Sequence, residues 1–121
     1  GYGNIINIAS IQGIALPKFD HYQNTTMVSP IEYTAAKNAI IAITKYMAKY
    51  LKKTNIRLNC ISPGGIKDNQ PQSFIEKYNS VCSSKGILDT DDLTSTLLFL
   101  ISDNSKLING QNIVVDDGWS L

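Results

Sequence analysis

Three short apolar runs, separated by long segments with helical periodicity, restrict the fold of this sequence more than any other feature. The runs cover residues 3–10, 56–62 and 113–115. Short apolar runs bounded by turn residues are typical of buried strands. Long helical crossovers join parallel strands, and such connections are right-handed. The order β-α-β-α-β therefore predicts an α/β fold that contains half of a doubly wound parallel sheet.

The first crossover contains the clearest helix signal. Residues 29–32, Ser-Pro-Ile-Glu, have the pattern of a capping box with the serine as N-cap. We expect this helix to end near Lys53. A second helix is predicted over residues 89–103 and a short one near 73–78, whereas residues 14–28 should form a loop. The expected buried stripes are Ala36, Ala39, Ile40, Ile43, Met47, Tyr50 and Leu51 in the first helix, and Leu93, Leu97, Leu98 or Phe99, and Ile101 in the second.

Composition argues against several classes of function. The chain has 121 residues, of which 43% are hydrophobic and 17% charged, so residues 1–121 can bury one small core. A formal net charge of +1 with scattered lysines argues against binding to nucleic acid or to a membrane surface. No apolar run reaches the roughly 18 residues of a membrane span, and no signal peptide is present. A cytoplasmic protein is expected.

The two cysteines are too few for a disulfide framework. Cys60 lies in an apolar run, where a buried thiol is expected, and Cys82 is expected to be exposed and reduced. Neither has the spacing to a histidine or second cysteine that metal sites use, so no metal is predicted.

Tyr33 and Lys37 stand four residues apart at the start of the first predicted helix. That spacing places both on one face. The pair can be an ordinary contact on the helix surface, or an acid/base pair. A cation within about 4–6 Å stabilises a phenolate and so helps a tyrosine to exchange a proton with a substrate.

Two further segments favour the acid/base reading. Ser10 ends the first predicted strand, and Pro63, Gly64 and Ile66 follow the second. Ligands bind at the carboxyl ends of strands in parallel sheets, and the loop before the first helix must return across that edge. Ser10 could instead cap a turn, and the Pro-Gly segment could simply terminate a strand.

Four segments in order resemble the C-terminal half of a short-chain dehydrogenase/reductase: "GNIINIAS-IQG", "EYTAAKNAIIAITKYMA", "IRLNCISPGGI" and "LLFLISDNSKLINGQNIVVDDGW". The resemblance covers nearly the whole chain. It implies that Ser10 binds the reacting oxygen, Tyr33 is the acid/base, and Lys37 binds the nicotinamide ribose and assists the tyrosine. It also implies that Pro63, Gly64 and Ile66 lie along the nicotinamide of NAD or NADP. Asn59 matches a structural asparagine of the family.

The resemblance also implies what is missing. The family's glycine-rich cofactor turn, the residue that selects NAD or NADP, the Asn-Asn-Ala-Gly strand and the catalytic asparagine would all precede Gly1. We therefore expect a single partial Rossmann-like domain, the catalytic and substrate half, with the N-terminal nucleotide-binding half absent. Such a chain should bind dinucleotide poorly and turn over little or nothing.

Local departures from the family concern the substrate and the cofactor. The interval from Ser10 to Tyr33 is longer than in common members, and the extra loop should form a wall of the substrate pocket. His21 and Tyr22 in this loop could contact a polar substrate, although a lone histidine there is more often solvated. Family members often have at the position of Asp68 a threonine that contacts the nicotinamide carboxamide, so the aspartate puts this cofactor contact in doubt. Asp116 and Asp117 are expected in a solvated turn, with Asp117 where glycine is usual.

The loop together with "SPIEY" resembles family members from bacterial surface-sugar and flagellin-glycan pathways. This implies a small-molecule substrate, a sugar or nucleotide-sugar. Relatives pair this helix with its counterpart in another subunit, so a homo-oligomer is expected. The alternative is a non-enzymatic fragment that self-associates through the first strand or through the helix surface around Tyr46 and Met47.

Overall fold

The computed structural model describes residues 2–121. The chain forms three strands and three α-helices in the predicted β-α-β-α-β order, with the short helix α2 between the second strand and the last helix. Four short 3-10 turns connect them, at Ile11–Gly13, Phe19–Tyr22, Thr90–Leu93 and Asp103–Ser105. The elements are β1 (Gly3–Ile8), α1 (Ile31–Tyr50), β2 (Ile56–Pro63), α2 (Gln72–Ser80), α3 (Thr94–Ile101) and β3 (Asn112–Val115).

The three strands form one parallel sheet in the order β1-β2-β3. In its register Ile5 pairs with Leu58, and Cys60 with Asn112. The central strand β2 is buried from Leu58 onward, as expected for a strand with neighbours on both edges. This confirms the predicted α/β fold and its partial, doubly wound parallel sheet.

Two clusters of buried apolar residues hold the helices and loops onto the sheet. One lies between α1 and the sheet and contains Ala9, Ile41 and Cys60, which confirms the burial expected for Cys60. The other lies beyond the carboxyl ends of the strands and joins Ile11 to the aromatic residues of α2 and of the C-terminal segment. Its buried members are Ile11, Phe74, Tyr78, Ile87 and Trp119.

The predicted capping box at the start of α1 is wrong. The helix begins at Ile31 with Pro30 as its N-cap and no side-chain capping bond. The hydroxyl of Ser29 instead donates to Oε1 of Gln12 at 2.8 Å. The Ser29 hydroxyl therefore bonds to a residue distant in sequence, and the local capping box does not form. The helix also ends at Tyr50, three residues before the predicted Lys53.

The predicted apolar stripes are also wrong in detail. The buried residues of α1 are Ile41, Thr44 and Ala48, while Ile43 is exposed. Thr44 can be buried because its hydroxyl accepts a hydrogen bond from Nδ2 of Asn7 and donates to the carbonyl of Ile40. Only one narrow face of each helix meets the sheet within residues 2–121, so much of the apolar surface faces outward. In α3 only Leu100 is buried, and Leu97, Leu98, Phe99 and Ile101 are exposed.

Arg57 on β2 fastens the end of α3 to the sheet. Its Nη1 donates to the carbonyls of Ser105 and Ile108, and its Nη2 to those of Leu100 and Ser102, at 2.9–3.2 Å. A helix C-terminus leaves carbonyls without intrahelical partners, and a guanidinium fork supplies donors to them.

None of the helices in residues 2–121 combines the length and hydropathy needed to cross a bilayer.

Candidate active site

A cavity of about 410 Å³ opens at the carboxyl ends of β1 and β2. It collects side chains from β1, the loop after it, the start of α1, the loop after β2, α2 and the C-terminal segment. All six residues predicted for the site line it, namely Ser10, Tyr33, Lys37, Pro63, Gly64 and Ile66. The geometry therefore brings together segments far apart in the sequence, although lining a cavity does not by itself assign their roles.

Ser10 lies just beyond β1 and is buried. Its backbone is extended, and its Oγ accepts a hydrogen bond from the Gln12 N–H at 3.2 Å, capping the short turn that follows. The Ser10 hydroxyl oxygen thus accepts one hydrogen bond within the turn. Its hydrogen has no acceptor within residues 2–121, so it can be donated to an oxygen in the cavity.

Tyr33 and Lys37 lie one turn apart in the first half of α1. The Lys37 ammonium is 5.4 Å from the centroid of the Tyr33 ring, and Nζ donates to the Ile8 carbonyl at 3.3 Å. Tyr33 is 44% exposed, so its ring stands at the mouth of the cavity rather than in the core. A lysine bound to one carbonyl has two further N–H donors available to a ligand.

The loop after β2 is fixed on three sides. The Gly64 N–H donates to the Val115 carbonyl at 2.8 Å, the Gly65 N–H donates to Oη of Tyr78 at 2.6 Å, and the Gly65 carbonyl accepts from Leu88. A Cβ at Gly64 would lie 2.8 Å from the Tyr78 oxygen and 3.0 Å from Cα of Asp116. The glycines therefore permit a close approach that makes this edge of the cavity rigid.

Five aromatic side chains form one wall of the cavity, which we call the aromatic wall: His21, Tyr22, Phe74, Tyr78 and Trp119. Trp119 stacks on Tyr78 with ring centroids 5.6 Å apart, and Tyr22 meets Phe74 edge-on at 5.2 Å. Trp119 is buried, yet its Nε1 has no hydrogen-bond partner among residues 2–121.

The expectation that His21 is solvated is wrong. His21 is 3% exposed, and its ring packs edge-on against Phe74, Tyr78 and Trp119 at 6.2–6.3 Å. Desolvation by this burial lowers the pKa of its imidazole, with the Asp20 carboxylate opposing the shift. The side chain is therefore a neutral part of the aromatic wall at neutral pH.

The expected turn at Asp116 and Asp117 forms, but it is less solvated than expected. Asp116 is buried, and its carboxylate accepts the N–H groups of Gly118 and Ser120. Asp117 has a left-handed backbone (φ 51°), and its carboxylate accepts from residues 84–86, both hydroxyl and backbone donors. The Gly86 N–H and these other donors lower the pKa of the Asp117 carboxyl to about 2.

The structure also gives the positions of Cys82, Asp68 and Gln12. Cys82 is half-buried against the aromatic cluster, and burial raises the pKa of its thiol to about 11. Asp68 is exposed and does not line the cavity. Gln12 was missed, yet its Oε1 accepts from Ser29 and Thr34 and so ties the turn after Ser10 to the start of α1. A polar residue directly after a predicted strand end was the only signal for it.

Asn59 has the structural position expected of it. It is fully buried, its Nδ2 donates to the Ile108 carbonyl, and its Oδ1 accepts from the Gln111 N–H.

Among residues 2–121, no group of three or more His, Cys, Asp or Glu side chains is arranged to hold a metal ion.

The fold is that of a partial doubly wound α/β protein, and its cavity lies at the carboxyl ends of the strands, where proteins of this class bind ligands. A family model described as enoyl-(acyl carrier protein) reductase matches residues 1–120. The chain belongs to the short-chain dehydrogenase/reductase family, a family of oxidoreductases.

Comparison with individual relatives gives the same result. The chain is 53% identical over 120 residues to post-translational flagellin modification protein A from Campylobacter coli, covering 99% of this chain and 47% of that protein. It is 34% identical over 126 residues to 7alpha-hydroxysteroid dehydrogenase from Bacteroides fragilis, covering 100% and 45%. A short chain dehydrogenase from Leptospira borgpetersenii with bound NAD+ superposes with a TM-score of 0.91 at 36% identity, covering 98% and 44%. The chain thus spans about half the length of the relatives it matches.

Proposed function

We propose that this chain is the catalytic and substrate half of an NAD- or NADP-dependent oxidoreductase that acts on an alcohol/carbonyl pair. The observation that carries the proposal is the convergence of Ser10, Tyr33 and Lys37 on one cavity beside the loop after β2. Family membership supports the reaction type, and the NAD+ in the Leptospira relative supports a nicotinamide cofactor. The choice between NAD and NADP stays open.

Each of the three side chains has a role that suits its surroundings. Tyr33 exchanges the proton with the substrate oxygen, and the Lys37 ammonium lies beside it, 5.4 Å from the centroid of its ring. Ser10 donates its free hydroxyl hydrogen to the same oxygen. When bound, a nicotinamide supplies hydride transfer to or from the substrate carbon.

The residues around Lys37 suit the nicotinamide side of such a cofactor. Two N–H donors of Lys37 are available for ribose hydroxyls, and Pro63, Gly64 and Ile66 offer a rigid, mostly apolar edge to a flat ring. The sequence contains no glycine-rich phosphate turn of the G-x-G-x-x-G type. The 121-residue chain should therefore bind NAD+ or NADP+ only weakly, which calorimetric titration can measure. Micromolar affinity would contradict the assignment of this chain to the half without the adenosine site.

Ser10→Ala tests the proposed chemistry in a full-length enzyme that carries this sequence. Loss of one preorganised donor to the reacting oxygen should lower kcat/KM by about a hundredfold. Dinucleotide affinity should stay unchanged, because the serine contacts the substrate oxygen. Ser73→Ala on the exposed face of α2 is the matched control. A Ser10→Ala enzyme within a few-fold of the control would overturn the role of Ser10.

We propose a sugar or nucleotide-sugar as the substrate. Support comes from the 53% identity to a flagellin modification protein and from the long loop over residues 14–28, which carries part of the aromatic wall. A cytoplasmic location belongs to the same proposal, since both cysteines are free thiols.

Self-association is the second candidate, and the outer faces of the chain favour it. The outer face of α1 exposes Ile43, Tyr46 and Tyr50, and the edge strand β1 exposes Ile5 and Ile8. Contiguous apolar surface of this kind marks interaction sites. We propose a homo-oligomer built on α1, which sedimentation of wild type and of Ile43→Glu can test. A monomeric wild type at micromolar concentration would contradict it, as would an oligomer unaffected by Ile43→Glu.

A further inference from the structure

The aromatic wall holds two buried hydrogen-bond donors that find no acceptor within residues 2–121. One is Nε1 of Trp119, a residue that is only 4% exposed. The other is the hydroxyl hydrogen of Tyr78, whose oxygen already accepts from the Gly65 N–H. Burial raises the pKa of the Tyr78 hydroxyl, so this donor keeps its hydrogen at neutral pH. A buried donor without an acceptor costs about 1–3 kcal/mol, so two of them on one wall require an explanation.

Positive charge surrounds this wall. The Lys18 ammonium lies 4.8 Å from the centre of the Trp119 ring, and the Lys77 ammonium donates to the Asp20 carbonyl. No aspartate or glutamate is among the residues lining the cavity. Two carboxylates interact electrostatically with wall residues: Asp20, which is exposed, with His21, and Asp116, which is held by two backbone N–H groups, with Tyr78.

We propose that the aromatic wall binds an anionic oxygen group, a carboxylate or a phosphate, that the substrate carries away from its reacting carbon. The oxygens of such a group accept from Trp119 Nε1 and from the Tyr78 hydroxyl, and its charge is balanced by Lys18. A neutral hydroxyl would satisfy the donors but would gain no attraction from the charge of Lys18. The inference rests on the proposed function, because it describes the substrate of that same site.

The single tryptophan of the chain makes the proposal measurable without turnover. The fluorescence of Trp119 is followed while the 121-residue chain is titrated with tartrate, with glycerol 3-phosphate, and with threitol, the neutral analogue of tartrate. At least one of the two anions should change the emission saturably and bind about tenfold more tightly than threitol. Tightest binding by tartrate assigns a carboxylate, and tightest binding by glycerol 3-phosphate assigns a phosphate. Raising the salt concentration should weaken anion binding, because charge attraction is screened.

Lys18→Gln isolates the charge, with Lys45→Gln as the matched control on the exposed face of α1. We expect Lys18→Gln to lower anion affinity about tenfold, to the level of threitol, and Lys45→Gln to leave it unchanged. Trp119→Phe, measured by calorimetry, should also weaken anion binding about fivefold. Equal binding of the anions and threitol would overturn the proposal, and so would the absence of any response to either anion in the folded chain.

Tyr33→Phe separates this inference from the proposed function. The variant should keep the affinity of the 121-residue chain for the anion, because Tyr33 is not part of the aromatic wall. Anion binding that persists while a full-length Ser10→Ala enzyme keeps normal turnover would refute the catalytic proposal alone. Loss of the preference for anions while Ser10→Ala still disables the enzyme would refute the anion site alone.

Discussion

Replacing Tyr78 with phenylalanine removes one hydroxyl that fixes the edge of the cavity. The Tyr78 oxygen accepts from the Gly65 N–H at 2.6 Å, and the ring stacks on Trp119. Phenylalanine keeps the ring contacts, so the substitution removes the hydrogen bond from Gly65 together with the unpaired hydroxyl hydrogen of Tyr78. Leaving a buried N–H without an acceptor costs about 1–3 kcal/mol. Gly65 is only half-buried, which lets water reach the amide, so we expect the lower end of that range.

Urea unfolding followed by Trp119 fluorescence and by circular dichroism measures this loss. With a slope of about 1–3 kcal/mol per molar, a loss of about 1 kcal/mol should lower the midpoint by roughly 0.3–1 M. A shift too small to resolve, with both probes agreeing, would refute the structural role of this hydrogen bond.

The same pair of proteins gives a pH test. The pKa of Tyr78 is raised in the folded state, chiefly by burial, above its ordinary value of about 10. As pH rises, the Tyr78 hydroxyl therefore loses its proton in the unfolded chain before it does so in the folded chain. The stability linked to the protonated hydroxyl is complete below pH 10 and is lost as pH rises further. Wild type should lose stability above pH 10 more steeply than Tyr78→Phe. Parallel curves would contradict the raised pKa.

Three further predictions concern the supports of the site. Arg57→Lys should destabilise the chain by about 1–2 kcal/mol in urea unfolding, since one ammonium cannot reach the four carbonyls that the guanidinium binds. The loss stays in this range because each carbonyl retains another donor. A change below about 0.3 kcal/mol would contradict this prediction. Asp117→Asn should lower the thermal unfolding midpoint at pH 7. The difference from wild type should disappear as pH falls toward 2, because the lowered pKa of Asp117 makes its ionised form the stabilising one. A difference that stays constant with pH would count against this prediction. Wild type should lose stability as pH falls below about 6.5, because the pKa of His21 is lowered in the folded chain and the unfolded chain takes up the proton first. His21→Gln should lack this loss. Identical dependence of stability on acid pH in the two proteins would refute the prediction.

Local patterns were sufficient for the order of the elements. The segment around Cys60 alternates apolar and polar residues, with Ile56, Leu58 and Cys60 apolar, and this pattern predicts a strand. The parallel order follows because both crossovers are too long for hairpins. These features depend on neighbours in sequence, so the sequence alone could predict them.

The errors arose where a distant residue competes with a local pattern. Ser29 has the sequence context of an N-cap, but the Gln12 side chain, 17 residues earlier, takes its hydroxyl. Asp117 follows a strand in a context typical of solvent, but the backbone N–H groups of residues 84–86 surround its carboxylate. His21 lies in a loop without periodicity that folds back onto α2. No local signal contains these contacts.

For the site, the sequence predicted the residues that line one part of the cavity and anticipated His21 and Tyr22 of the aromatic wall, but it missed Phe74, Tyr78 and Trp119. Ser10, Tyr33 and Lys37 could be placed because strand ends and helix starts meet at one edge of a parallel sheet. Trp119 and Tyr78 reach the same cavity through the packing of α2 against the C-terminal segment. That packing depends on tertiary contacts between elements 41 residues apart in the chain, from Tyr78 to Trp119.

Tyr33→Phe in a full-length enzyme that carries this sequence tests the central claim most directly. Loss of general acid/base catalysis should lower kcat by about a hundredfold or more, while dinucleotide affinity changes little. Tyr50→Phe, at an exposed tyrosine of the same helix, is the control and should retain full activity. Turnover of Tyr33→Phe within a few-fold of wild type would contradict the assignment of Tyr33 as the proton-transfer residue.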